Sequence, residues 1–475
     1  MRTSPSYTAS YRLEIDESTL SIAQIVDAVS STGAQIKGLD VADSDRGHIV
    51  IDLTCDMRDS DHRREVRQIL DGLEGAHTSS VADQTFMAHV GGKIEVHPKV
   101  PLRNRDDLSR AYTPGVARVC TAIHDMPEKA HLLTMKANSV AVVSDGTAVL
   151  GLGDIGPEAA LPVMEGKAVL FKQFGDVDAW PVVLDTKDTE EIISIVKAIA
   201  PAYGGINLED ISAPRCFEIE ERLRAELDIP VFHDDQHGTA IVVLAALINA
   251  LKLVNKKIED VRIVVSGVGA AGSAIIKLLL AQGARDIVGY GRTGALAGDD
   301  VEGMHPSRAW LAQNTNPRMV HGSLKEGIAD ADVFIGVSHG NILEPSDIAK
   351  MAPGAIVFAL ANPTPEVDPI AAAEYAAIVA TGRSDYPNQI NNVLAFPGLF
   401  RGLLDAKVKE ITTEVLRVAA VAIASVISED ELSPSYIIPG AFDKRVAPAV
   451  SKAVRRAVRD LPTVDIPVQP DMDVN

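Results

Sequence analysis

At 475 residues the chain exceeds what one hydrophobic core usually organises, and about 100–200 residues per domain gives two to four domains. With 46% hydrophobic and 23% charged residues it is not disordered on any large scale, and a formal charge of -20 argues against nucleic acid or an anionic membrane as partner, since both are bound through excess Lys and Arg. Cys55, Cys120 and Cys216 are far apart, odd in number and outside any CxxC pattern, which sets aside a disulfide framework and a zinc site and fits a reducing cytoplasm.

MRTSPSYTAS leads directly into an alternating strand pattern without the apolar run of a secretory signal. Tyr11, Leu13 and Ile15 alternate with charged residues, and Ile22, Ile25, Val26 and Val29 recur at helical spacing up to Gly33. Ile49, Ile51, Leu53 and Cys55 alternate again, before a helix started by Ser60 with Val66, Ile69, Leu70 and Leu73 on its inner face. With short strands before Gly38 and around Thr85 and Phe86, the order is β-α-β-β-α-β, a ferredoxin-like unit over residues 1–88. It resembles an ACT domain, a resemblance that implies a small regulatory ligand; the same fold also serves as a structural or dimerising appendage.

From about residue 90 apolar runs alternate with helical patterns, as in α/β architecture. The expected division is a substrate and metal domain over 89–240, a Rossmann-type NAD(P)-binding domain over 241–429, and helices over 430–475 that pack back on the first of these. The apolar stretches 241–251 and 415–427 fall short of the ~18 residues of a membrane span and read as buried helices.

Within these blocks, a buried-type strand at 261–266 runs into GVGAAG, which sets Gly267, Gly269, Ala270, Ala271 and Gly272 ahead of a helix over 273–280. Glycines there let the backbone approach a pyrophosphate at a helix N-terminus. Two acidic pairs, Glu209–Asp210 in GINLEDISAP and Asp234–Asp235 in VFHDDQHGTA, each follow an apolar run and precede a helix. Carboxylates gathered at strand ends suit Mg2+ or Mn2+; the alternative is a pair of helix N-caps. Lys167 sits in an apolar segment, where burial lowers a lysine pKa toward that of a general base, and Tyr112 sits where Pro114 and Gly115 make a rigid turn that can present a phenol to a cleft. Either residue alone is more readily read as structural, a snorkelling lysine or a hydrogen-bonded tyrosine.

In that order, AYTPGVA, VAVVSDGTAVLGLGDIGPEAALPVMEGKAVLFK, INLEDISAP, VFHDDQHGTA, VSGVGAAG, ALANPTPE and NQINNVLAFPG resemble the signature blocks of short bacterial malic enzymes over residues 90–450. The resemblance implies metal-dependent oxidation of malate with a nicotinamide cofactor and decarboxylation to pyruvate. It further implies Tyr112 as general acid, Lys167 as general base with Asp234 adjoining it, and Glu209, Asp210 and Asp235 as metal ligands. Asn362 and Asn392 are implied to hold the substrate carboxylates, in a homodimer or larger assembly.

Larger members carry an arginine where this chain has Ala148, and Arg383 is the candidate replacement, set against a role in fastening its own loop. A malolactic-type enzyme and a non-catalytic metabolite sensor are the rival readings. In dinucleotide folds an acidic residue about 20 positions past the glycines binds the adenosine ribose. Gly291, Arg292 and Thr293 stand there instead, which favours NADP over NAD.

Overall fold

The computed structural model describes residues 3–45, 47–149, 151–459 and 461. They fall into two compact units, one up to Val96 and one from His97 onward.

In the first unit four strands, β1 (Ser4–Asp16), β2 (Gln35–Asp45), β3 (His48–Met57) and β4 (Ala76–Asp83), form an antiparallel sheet in the order β2-β3-β1-β4. Its register sets Tyr11 opposite Leu53, Leu13 opposite Ile51 and Ile15 opposite Ile49, so the alternating apolar residues of the two central strands share one buried face. Helices Ile22–Ser31 and Ser60–Asp71 follow the strands they cover, and Ile25, Val29, Val66 and Leu70 complete the core. The first helix opens on a reciprocal cap between Ser21 and Gln24, the second on the Asp59 carboxylate. Thr85 and Phe86 are not a strand. The Asp83 side chain accepts from both of their amides and turns the chain into the short helix Gln84–Met87.

The second unit holds two sheets. In one, β5 (Ser139–Ser144), β6 (Asp178–Val183), β7 (Gly205–Leu208) and β8 (Val231–His233) are all parallel, in the order β6-β5-β7-β8. In the other, β9 (Arg262–Ser266), β10 (Asp286–Gly291), β11 (Gly294–Ala295), β12 (Val333–Gly336), β13 (Ile356–Ala359) and β14 (Ile378–Thr381) lie in the order β11-β10-β9-β12-β13-β14. Only the two-residue β11 runs antiparallel. The chain leaves β9 for β10 on one side and crosses back to β12 on the other, so a crevice opens at the carboxyl end of β9, where dinucleotides bind in doubly wound folds. The last strand, β14, is a four-residue segment that the sequence pattern passes over.

One continuous core joins these sheets and runs through the helix Thr239–Leu253, which is buried on nearly every side. The helical run Asp234–Leu253 is long and apolar enough by length and composition to cross a membrane, yet most of it lies inside the protein. Helix Phe396–Ala406 packs against Pro157–Gly175 and Val446–Ala457, and Thr413–Ala424 packs on both Thr239–Leu253 and Val446–Ala457. The terminal helices expected over 430–475 are described through 459, and residues 462–475 lie outside the described residues.

Asn249 is the polar exception in the central helix. Fully buried, its Nδ2 donates to the carbonyls of Ala424 (2.9 Å) and Ile437 (3.0 Å) and ties two later segments to the core. A buried carbonyl left without its donor costs about 1–3 kcal/mol. Asn249→Ala is therefore expected to lower stability to urea by about 2 kcal/mol or more; an unchanged midpoint and slope would show that the two carbonyls find other donors.

Candidate active site

Because β7 and β8 are parallel neighbours with Leu208 opposite His233, the residues that follow them emerge side by side. Those residues are Glu209–Asp210 and Asp234–Asp235. Oxygens of Glu209, Asp210 and Asp235 come within 4.8 Å of one another. Asp210 takes a left-handed backbone (φ 54°), and its amide donates to Asp235 Oδ2 at 2.8 Å, which locks one acidic pair against the other. Asp234 and Asp235 open a π turn, Asp234–Gly238, of the kind that is frequent at functional sites.

Lys167, on helix Pro157–Gly175, reaches this cluster with its Nζ 2.5 Å from Asp234 Oδ2 and 2.8 Å from Glu209 Oε1. Its ammonium also stands 4.2 Å from the centre of the Phe396 ring. Asn392 donates to Asp234 Oδ2 (3.1 Å) and accepts from Thr239 Oγ1 (3.1 Å), which fixes the orientation of its amide. Asn207 donates to the second oxygen of Glu209 at 2.8 Å.

Burial pushes Glu209 well above the usual carboxylate range; Lys167 opposes this, and Asp235, Asp234 and Asp210 add to it. Asp234 is raised in the same way, by burial first, against the pull of Lys167. The sequence reading placed Lys167 below the normal lysine range, and the structure corrects this. Burial does act in that direction, but the adjoining carboxylates of Asp234 and Glu209 outweigh it and hold the group above 10.5.

Four carboxylates thus face one ammonium. Hard oxygen ligands, converging and short of positive charge, fit a divalent cation such as Mg2+ or Mn2+, and Glu209, Asp210 and Asp235 are the residues that could hold one.

A second feature lies at the carboxyl end of β9. A cavity of about 900 Å³ is lined by Gly267, Val268 and Gly269 of the glycine turn, by Gly291, Arg292 and Thr293 after β10, and by Ser338 and His339 after β12. It extends to Ala213 and Pro214, a few residues beyond Asp210. The helix after the turn spans Ala270–Ala281, so Ala270 and Ala271 belong to its first turn. A Cβ on Gly272 would collide with the Gly267 carbonyl; this glycine is what allows the helix to approach the turn so closely.

Other candidates lie elsewhere. Asn362 is exposed in the loop after β13, its carbonyl near Gly151. Arg383 is not a free replacement for the arginine missing at Ala148. Its Nε and Nη2 both donate to Asp385 and its Nη1 to the Pro363 carbonyl, so its planar fork is spent on fastening neighbouring loops. Tyr112 is 67% exposed, between helices Arg105–Ala111 and Val116–Asp125, neither of which contains a buried residue.

The sequence reading missed two supporting groups. Glu220, buried on helix Arg215–Glu226, accepts from Gln236 Nε2 (3.0 Å), pairs with His237 Nε2 (2.9 Å) and accepts from the His233 amide, bracing the turn that carries Asp234 and Asp235. Despite its burial it is held below the usual carboxylate range, chiefly by His237. Asp145 is buried at the end of β5 and paired with Arg215 at 2.8 Å. The signal for Glu220 was available: it shares the face of Cys216, Ile219 and Leu223, where a lone carboxylate needs a partner.

Two family models match, the malic enzyme N-terminal domain over residues 91–224 and the malic enzyme NAD binding domain over 236–459. The chain is 58% identical over 446 residues to the NAD-dependent malic enzyme of Geobacillus stearothermophilus, covering 94% of this chain and 93% of that relative. It is 56% identical over 381 residues to the bifunctional malic/malolactic enzyme of Bacillus subtilis, covering 80% and 93%. The solved structure of the NAD-dependent malic enzyme of Thermotoga maritima superposes with a TM-score of 0.76 at 51% identity, over 79% of this chain and 99% of that one. With matching domains in the same order, and with acidic pairs and glycine turn at the strand ends that ligand binding requires, this chain belongs to the malic enzyme family.

Proposed function

We propose that the protein catalyses the divalent-metal-dependent oxidation and decarboxylation of (S)-malate to pyruvate and CO2, with reduction of NAD(P). The observation that carries this reading is Lys167, buried between Asp234 and Glu209 at the rim of the carboxylate cluster. When bound, the cation supplies Lewis acidity toward the oxygen on C2, and the dinucleotide accepts the C2 hydride. Lys167 takes the C2 hydroxyl proton. With Glu209 engaged by a cation, one of the two charges that retain the lysine proton is neutralised, and burial then favours the free amine. Asp234, held by Asn392, orients that amine; Asn392 and Asn362 are assigned to the substrate carboxylates. After CO2 leaves, Tyr112 delivers a proton to C3 of the enolate.

Tyr112 is so exposed in its own chain that we assign it to the cleft of a second copy. Leu102, Leu108, Val119, Leu132, Leu133 and Met135 are exposed on the same stretch, and burying them supports a homodimer. We further assign residues 1–88 to an ACT-like module with a small regulatory ligand, 89–240 with the terminal helices to substrate and metal, and 241–429 to the nucleotide. Three unpaired cysteines are in keeping with a reducing cytoplasm. The absence of a carboxylate at Gly291, with Arg292 and Thr293 beside the cavity, supports NADP as the preferred cofactor, although the Geobacillus relative is named for NAD.

Spectrophotometry with malate, Mn2+ and each cofactor is expected to show steady formation of reduced cofactor and pyruvate, with higher kcat/KM for NADP. Lactate without free reduced cofactor would instead place the chain with malolactic activity, which the name of the Bacillus relative includes. EDTA is expected to abolish turnover, and Asp235→Asn to need more Mn2+ for half-maximal activity; activity indifferent to both would remove the metal from the mechanism. Lys167→Ala and Tyr112→Phe should each lose about 10²–10⁴-fold. Co-expressed in one dimer, they are expected to regain about a quarter of wild-type activity, because half the dimers are mixed and each holds one intact site. No recovery from mixed dimers would place Tyr112 in its own chain's site.

A further inference from the structure

We propose that Arg308 forms, with Arg292, the recognition site for the 2′-phosphate of the cofactor's adenosine, and that Gly291 is there to leave it room. The inference rests on the NADP reading above and names a residue that the glycine motif does not reach, since Arg308 lies 36 positions beyond Gly272.

Gly291 is the last residue of β10, the strand next to β9, and it occupies the place where an acidic side chain would meet the ribose. A Cβ at that position would stand 2.4 Å from Nη2 of Arg308, so the end of this flexible side chain would have to move aside. The guanidinium, carried on helix Pro306–Asn314, therefore covers the very spot from which a ribose-binding carboxylate would project. Substituting the acid by any side chain would have removed the negative charge; substituting it by glycine also admits a cation.

Arg308 has no visible structural employment. Its Nε is buried without a hydrogen-bond partner, and no carboxylate pairs with the guanidinium among the described residues. An arginine partly withdrawn from water and left unpaired is unfavourable unless an anion completes it. Its surroundings suit one. Arg292, Arg308 and Lys325 line the cavity, and no Asp or Glu is among its lining residues, in a chain whose formal charge is -20. Lys325 is partly committed to Asp347, at 3.6 Å, which leaves the two arginine forks as the free cations. Two planar forks match a phosphate dianion in both charge and geometry. Ser307, at the cavity edge beside Arg308, adds a hydroxyl.

Calorimetric titration with two probes that lack nicotinamide, adenosine 2′,5′-bisphosphate and adenosine 5′-monophosphate, separates this site from turnover. The wild type is expected to bind the bisphosphate at least tenfold more tightly. Arg308→Ala should lose about 10–100-fold of affinity for the bisphosphate, the range for a charged hydrogen bond, and leave the monophosphate unchanged. Arg308→Gln, which keeps much of the length without the charge, should reproduce that loss, Arg308→Lys should restore part of it, and Gly291→Ala, which only moves the guanidinium aside, should lose less. If Arg308→Ala and Arg308→Gln keep the full preference while Arg292→Ala abolishes it, the role of Arg308 is overturned and the NADP reading stands. Equal binding of both probes by the wild type would overturn both. Should Arg308→Ala fail to fold, Arg308→Gln decides, since it keeps most of the side chain's bulk.

Discussion

The parallel pairing of β7 with β8 is the constraint on which the rest of the site depends. A ladder of backbone hydrogen bonds sets Leu208 beside His233, and the next residues on each strand are acidic. Repulsion between Glu209, Asp210, Asp234 and Asp235 would part them if they stood on loops. Anchored to a buried sheet they cannot separate; burial first, and their mutual repulsion after it, raises Glu209 and Asp234 above the usual carboxylate range, and Asp210 takes a left-handed backbone. What relieves it is positive charge. Lys167 supplies one unit from the protein, and the remaining deficit is what suits Glu209, Asp210 and Asp235 to a cation.

The surrounding charges form a graded support. Glu220, buried and kept ionised by His237, braces the π turn below Asp234 and Asp235 without joining the cluster. Asp145 with Arg215 does the same beneath the loop that follows β5, whose Ala148 amide donates to the Asp210 carbonyl. Asp145 and Arg215 carry opposite charges, so that pair stiffens the backbone and adds little net field at the carboxylate cluster. Asn392 extends the arrangement in another direction, linking Asp234 to Thr239 at the start of the central helix. The chemistry of the site is thereby joined to the largest core of the molecule through a few hydrogen bonds.

The nucleotide cavity works by the opposite electrostatic principle. Where the carboxylate cluster concentrates negative charge, the lining at the ends of β9, β10 and β12 contains cations and hydroxyls and excludes carboxylates. A chain this acidic binds an anionic cofactor only if its positive charge is local. Ala213 and Pro214, which line the cavity, follow Asp210 by three and four residues, so the chain runs from the carboxylate cluster to the cavity within one short loop.

Much of this was determined by the sequence itself. Alternation of Tyr11, Leu13 and Ile15 specifies a half-buried strand because side chains in a strand alternate faces; GVGAAG specifies a tight turn because only glycine permits so close a backbone approach; and acidic pairs after apolar runs mark the ends of strands. Local patterns of this kind are properties of the chain over a few residues, and they survive folding. Tertiary structure decided what depends on distance in space. Lys167 carries a raised rather than a lowered pKa because two carboxylates, 42 and 67 positions further along, close around it. Arg383 is spoken for by Asp385 and by a carbonyl 20 residues away, Glu220 found its histidine across a turn, and the room left by Gly291 acquired meaning only when a later helix laid Arg308 over it. A side chain's charge state and availability follow from its neighbours in the folded molecule, and those neighbours are chosen by the packing of sheets and helices rather than by adjacency in the chain.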